Sequence, residues 1–322
     1  MALSFLITIG VLAMLIPYLR KLGAEQTIRE DGPVWHNEKG KTPTMGGVGF
    51  VLAISVTVLT LTPTMAARGD IQPIVALLCG LSFGFIGFLD DYVAVTKRRN
   101  LGLTPKQKVL FQLLAAAAFL AARRMGGDTS TALGIPIFDL SINLGLLYYP
   151  ASAFIIIGTV NGVNLTDGLD GLCASVTVPV AILFMALANR YANRGLWLVA
   201  AALLGGLLGY LPYNLPKAKV FMGDTGAFFL GGLVAAMAFM VNLPVILALC
   251  GIVYVLETLS DILQVAYFKR TGGKRLFLMA PLHHHFEMKK YTEKQIDLLF
   301  TAISTAGCIL AYWATCQFYP II

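Results

Sequence analysis

The stretch Asn161-Gly162-Val163-Asn164-Leu165-Thr166-Asp167-Gly168-Leu169-Asp170-Gly171 places two asparagines, a threonine and two aspartates between the apolar runs 153–160 and 176–187. Amides and carboxylates at this density suit a polar ligand or a hard cation. Glycines let the backbone turn tightly and come close to that ligand. Helix capping explains one or two of these side chains, but not five. Asp167 and Asp170 are three residues apart, as are Asn161 and Asn164, so on a helical turn each pair shares a face.

Other stretches repeat the theme. Asp90-Asp91-Tyr92 ends an apolar run. Adjacent carboxylates at a helix C-terminus face an unfavourable dipole and repel each other. A lysine or arginine would serve better as a stop, so the pair points to a divalent cation, or to one carboxylate as base or nucleophile beside a metal. Asp224 opens another apolar segment, where an N-terminal cap is the plain alternative. Clustered oxygen ligands without cysteine favour magnesium or manganese over zinc. His283, His284 and His285 are consecutive and cannot all face one metal, which favours phosphate or carboxylate binding over a zinc triad. Thr42-Pro43-Thr44 followed by Gly46 and Gly47 suits a helix N-terminus that receives phosphate. Lys108 is a snorkelling anchor or a phosphate contact. Glu257 and Asp261 are acids within an apolar segment, a setting in which function is the default expectation.

The elements that carry these residues are apolar helices. Of the 322 residues, 57% are hydrophobic and 13% charged, against roughly 25% charged in soluble domains. The chain reads as an all-α integral membrane protein, one polytopic domain over 1–322. With about 20 apolar residues per crossing, ten spans are expected: 2–19, 45–62, 71–89, 108–125, 144–162, 172–189, 196–213, 225–241, 244–266 and 296–317. The first has no basic residue before it and no small-residue cleavage site, so it reads as a retained span. The five cysteines lie in or beside apolar runs without metal spacing and read as small hydrophobes. With both termini outside, 19 of the 24 lysines and arginines fall in inner loops and five outside. The net charge of +7 is then a cytoplasmic-face feature that requires no nucleic acid. Asp90, Asp91, Asp167, Asp170 and Asp224 all lie at inner ends of spans. Residues 133–140 suggest a small outer hairpin.

Taken together, Lys41–Gly47, Phe88–Tyr92, Asn161–Leu172, Val220–Gly226 and Met279–Glu287 resemble the motifs of the phospho-N-acetylmuramoyl-pentapeptide transferase family. That family lies within the polyprenyl-phosphate hexosamine-phosphate transferase superfamily. The motifs run in order from residue 41 to 287, and the loop with three histidines resembles the peptidoglycan branch specifically. The resemblance implies ten helices with both ends outside and a homodimer in the bacterial plasma membrane. It implies a magnesium-dependent transfer of phospho-MurNAc-pentapeptide from UDP-MurNAc-pentapeptide to undecaprenyl phosphate, giving lipid I and UMP.

By motif position, Asp90 and Asp91 match the family's catalytic acidic pair, and Asp224 its metal-binding aspartate. Asn161, Asn164, Asp167, Gly168, Leu169, Asp170, Phe221 and Gln264 fall on its nucleoside and metal pocket. His283, His284 and His285 match its histidine loop, with His284 taken as catalytic, and Lys108 and Lys39 match family lysines. The implied metal ligands are Asp224, Asp90 and Asp167. At Ala94 the chain departs from the family's lysine, which puts one uridine-side contact in doubt. Two readings compete: a UDP-GlcNAc phosphate transferase using the same lipid, and a secondary transporter. Transporters place ionisable groups near the midplane, whereas these aspartates gather at span ends.

Overall fold

Backbone amides have no water to bond within lipid, so apolar runs of this length close into helices. The computed structural model describes residues 1–23, 42–63, 70–97, 102–138 and 140–318. Its helices are α1 (Ala2–Lys21), α2 (Gly47–Leu61), α3 (Gln72–Lys97), α4 (Pro105–Met125), α5 (Tyr148–Thr166), α6 (Leu172–Arg190), α7 (Arg194–Asn214), α8 (Gly223–Met240), α9 (Ile252–Arg270), α10 (Leu282–Met288) and α11 (Glu293–Phe318). The chain is an all-α integral membrane protein. Among the described residues, seven helices are long and apolar enough to cross a bilayer. An eighth crossing arises if Pro244–Cys250 and α9 count as one span bent by 82°. The other two expected spans fall on α2, an apolar helix of 15 residues, and on α4, which carries Lys106, Lys108, Arg123 and Arg124.

The bundle is built around α8. Its apolar window is 83% buried, against 28% for α1 and 33% for α11, so α8 is the axis and the latter two form the rim. Lipid offers no hydrophobic drive between helices, and close packing has to supply the association. Gly80, Gly84 and Gly87 of α3 provide it, because a Cβ at Gly87 would collide with the backbone of Asp224 on α8. At the start of α2, a Cβ on Gly47 would strike the backbone of Gly226. Phe50 of α2 packs edge-on to Tyr210 of α7 at 5.1 Å between ring centroids.

The expected hairpin is present. Strand β1 (Ala132–Ile135) pairs antiparallel with β2 (Leu140–Asn143), with Leu133 opposite Ile142. The four cysteines Cys79, Cys173, Cys250 and Cys308 are buried and, like Cys316, free, in keeping with a packing role.

Three expectations change. Helix α3 runs on to Lys97, so Asp90 and Asp91 lie about two turns before its end and do not face its C-terminal dipole. Helix α5 stops at Thr166 with Asp167 as its C-cap, so Asp167 and Asp170 share a turn and not a helical face. The amides of Gly46 and Gly47 donate to Phe221 O (2.8 Å) and Met222 O (3.0 Å), so the donors expected to meet phosphate are paired with backbone carbonyls.

Candidate active site

Neighbouring residues on a helix point about 100° apart, and the Asp90–Asp91 pair divides accordingly. Asp91 is buried and turned to the start of α8. Its Oδ1 accepts from Asp224 N–H (3.1 Å), and its Oδ2 accepts from Thr225 N–H (2.9 Å) and the Thr225 hydroxyl (2.6 Å). The two amides are orphan donors of a helix N-terminus, so Asp91 caps α8 from another helix. Asp224 stands in the first turn of α8 and is not itself the cap. The side chain of Asp91 therefore positions Asp224.

Asp90 faces the other way. Its Oδ1 accepts from Leu103 N–H (2.6 Å), and its Oδ2 lies 2.9 Å from Lys108 Nζ. The same ammonium is 3.0 Å from Asp224 Oδ2, so Lys108 bridges two carboxylates from different helices. Lys108 gains its direction from the first turn of α4, where Thr104 and Gln107 form a capping box. Lys108 is thus a member of the site and not a snorkelling anchor.

Helix α5 supplies the third wall. Asn164 Nδ2 donates to Asp224 Oδ1 (2.9 Å), which leaves both oxygens of that carboxylate engaged. One turn earlier, Asn161 exchanges two hydrogen bonds with Gln112 of α4, at 3.0 and 3.2 Å. Gln112 was not anticipated. Its signal was its place four residues after Lys108, on the same helical face.

Beyond α5, the turn reverses through Gly171, whose φ of +82° is the left-handed region that glycine tolerates. Gly171 N–H donates to Asn214 Oδ1 (3.1 Å). Leu169 and Asp170 are buried, and Asp170 Oδ2 accepts from Ala218 N–H (2.8 Å), which ties the turn to the loop before α8. Gly168 is exposed. Burial, followed by the charges of Asp224, Asp91 and Asp170, pushes the Asp167 carboxyl well above the usual carboxylate range. Phe221 is half-buried and pairs through its backbone with Pro43 and Gly46.

The histidines fan out around α10. His283 Nδ1 lies 3.1 Å from Glu257 Oε2, His284 Nδ1 lies 2.6 Å from Glu287 Oε2, and His285 Nδ1 accepts from Leu278 N–H (3.1 Å). The His283 and His284 rings lie 4.1 Å apart between centroids, tilted by 59°. Burial, then the charge of Lys289, lowers the His285 imidazole from its ordinary value. Gln264 braces the same loop: its Oε1 accepts from Leu276 N–H (3.0 Å) and Phe277 N–H (2.9 Å). Lys39 lies outside the described residues.

Magnesium takes oxygen ligands, keeps several waters and is held by one or two carboxylates plus substrate phosphates. Asp90 and Asp224, converging on one ammonium, fit that pattern. Among the described residues, no three His, Cys, Asp or Glu side chains form a ready metal cage. Asp167 therefore does not complete a preformed trio with Asp90 and Asp224, although it shares their field.

The family model described as glycosyl transferase family 4 matches residues 73–242, which include Asp90, Lys108, Asn164 and Asp224. The phospho-N-acetylmuramoyl-pentapeptide-transferase of Geobacillus kaustophilus is 46% identical over 316 residues, covering 97% of this chain and 96% of the relative. The protein of that name from Heliobacterium modesticaldum is 46% identical over 296 residues, 92% of this chain and 90% of its own. The Bacillus subtilis relative is 42% identical over 311 residues, at 96% and 94% coverage. With the fold, the motifs and near-complete coverage in agreement, the chain belongs to glycosyl transferase family 4 and, within it, to the phospho-N-acetylmuramoyl-pentapeptide transferases.

Proposed function

We propose that this chain transfers phospho-MurNAc-pentapeptide from UDP-MurNAc-pentapeptide to undecaprenyl phosphate, releasing UMP and forming lipid I. The observation that carries the reading is the Asp90–Lys108–Asp224 bridge, inside a chain related along its whole length to transferases of that name. Two anionic phosphates have to meet, so the barrier is largely electrostatic. A cation balanced between two carboxylates is a group that can be redistributed onto phosphate oxygens.

In this reading Asp224 and Asp90 would hold magnesium, which would supply charge neutralisation for the diphosphate and the leaving UMP. Lys108 then turns its ammonium to substrate phosphate. Asp90, released from that ammonium, removes the proton of the lipid phosphate. The freed phosphate oxygen attacks the phosphorus that carries the sugar, and the bond to UMP breaks. Asn164 keeps Asp224 oriented, and Asp91 holds the start of α8 in place. His284, held by Glu287, meets the remaining substrate charge.

The site faces the cytoplasm in this reading, with ten spans, both termini outside and a homodimer in the plasma membrane. The distribution of 19 lysines and arginines against five supports that orientation. The test is UMP release by the purified protein with magnesium and lipid phosphate, for the parent and for Asp90→Ala, Asp224→Ala and His284→Ala. Strong loss in all three is expected, and full activity in all three would refute the site. Preferred turnover of UDP-GlcNAc would reassign the donor. Covalent phosphosugar on Asp90 after mixing with the donor alone would replace direct attack by a phospho-enzyme route.

A further inference from the structure

The two nitrogens of the His283 ring are treated unequally. Glu257 on α9 and His283 on α10 are almost wholly buried, at 0% and 1% exposure. Glu257 Oε1 accepts from the His283 backbone N–H (3.2 Å), while its Oε2 lies 3.1 Å from Nδ1. A carboxylate accepts, so Nδ1 carries the proton and donates it to this bond. In the neutral form of this tautomer, Nε2 is left with a lone pair. Nε2 is buried and has no hydrogen-bond partner among the described residues. It lies against Gly168, where an added Cβ would collide with it. Buried polar atoms are nearly always paired, and this one abuts the turn that carries Asp167.

A purely structural Glu257 would be an expensive choice. An acid within an apolar helix is costly, and the backbone N–H at the start of α10 could be served by a neutral side chain. Both Glu257 oxygens are instead spent on one histidine, one on its backbone and one on its ring. Such a two-point hold fixes ring orientation and tautomer together, as carboxylates do for ligating and catalytic histidines.

We infer that Glu257 is a positioning residue: it locks His283 as the Nδ1–H tautomer and presents Nε2 at Gly168 as an acceptor for a substrate O–H. The inference rests on the transferase reading. A sugar hydroxyl of the donor and the protonated lipid phosphate both offer that group. Kinetics with each substrate varied in turn separate the two sources.

The test is Glu257→Gln in the full-length protein. The amide keeps an oxygen for the His283 backbone N–H but turns an NH2 donor toward Nδ1, which moves the ring proton to Nε2. Nitrogen-15 NMR of histidine-labelled protein, assigned with His283→Gln, reads that proton directly. The expected result is Nδ1–H in the parent, Nε2–H in Glu257→Gln, and an about 10- to 100-fold fall in kcat/KM for one substrate. A fall confined to the nucleotide sugar identifies the sugar hydroxyl, and one confined to the lipid identifies its phosphate. An Nε2–H parent, or a reversed tautomer with both kcat/KM values unchanged, would overturn the inference. So would a lowered thermal midpoint with the nitrogen signals unmoved. If Glu257→Gln does not fold, Gly168→Ala decides: the added methyl displaces the ring, and unchanged nitrogen signals with unchanged kinetics would overturn the inference. A parent that releases no UMP refutes the transferase reading instead, and leaves the tautomer measurement standing.

Discussion

The acidic corner and the histidine corner of this site solve opposite problems. Around Asp90 and Asp224, two carboxylates share a single ammonium, with Asp90 buried and Lys108 and Asp224 partly exposed. Around α10, each histidine has a partner of its own: Glu257, Glu287 or the Leu278 amide. The first arrangement can exchange its counter-charge when a cation or phosphate arrives. The second is fixed before any substrate binds. The difference lies in how charge is partnered: one cation is shared and can be redistributed, whereas each imidazole has a partner that fixes its direction.

Breaking the exchangeable corner has the largest expected effect. Asp224→Ala removes one of the two carboxylates and strips Asn164 and Lys108 of a partner, and UMP release at saturating substrates is expected to fall about 1000-fold. Lys108→Met leaves Asp90 and Asp224 without their shared cation, and a loss of about 100-fold in kcat/KM is expected in the same assay. The division between Asp90 and Asp91 sharpens the comparison. Asp91→Asn replaces one acceptor oxygen of the α8 cap with a donor, and is expected to cost about 1–2 kcal/mol, read as a lower thermal midpoint. Asp90→Asn is expected to abolish turnover with the midpoint unchanged, and the reverse pattern would exchange the two assignments.

The smallest effect concerns pH. In the folded protein the Asp167 carboxyl titrates well above its ordinary value, chiefly through burial and then through the charges of Asp224, Asp91 and Asp170. Between the unfolded and folded values the folded chain binds the extra proton, so this group makes stability fall as pH rises through that window. Asp167→Asn is expected to remove this slope and raise the thermal midpoint only on the alkaline side. Parallel midpoint-versus-pH curves for parent and variant would show that Asp167 is not the source.

Much of this was legible in the residues. Apolar runs bounded the helices, because lipid leaves a polar backbone no other solution. The motifs named the carboxylates and histidines that gather at one end of the bundle. Their partners were not legible. That Asp90 faces Lys108 while Asp91 caps α8 depends on the rotation of α3, which Gly80, Gly84 and Gly87 set by packing on α8. The motifs place Gln264 with the pocket residues, and only the fold shows that its amide oxygen braces Leu276 and Phe277. Gln112 and Asn161 lie 49 residues apart, and only the packing of α4 on α5 pairs their amides.

The sequence by itself determined the membrane class, the order of the helices, the family and the residue types available for chemistry, since composition and motif order are properties of one dimension. Only the tertiary structure decided which oxygen meets which donor. Hydrogen bonds and ion pairs depend on a few tenths of an ångström and on direction, and those are set by helices far apart in the chain packing side by side.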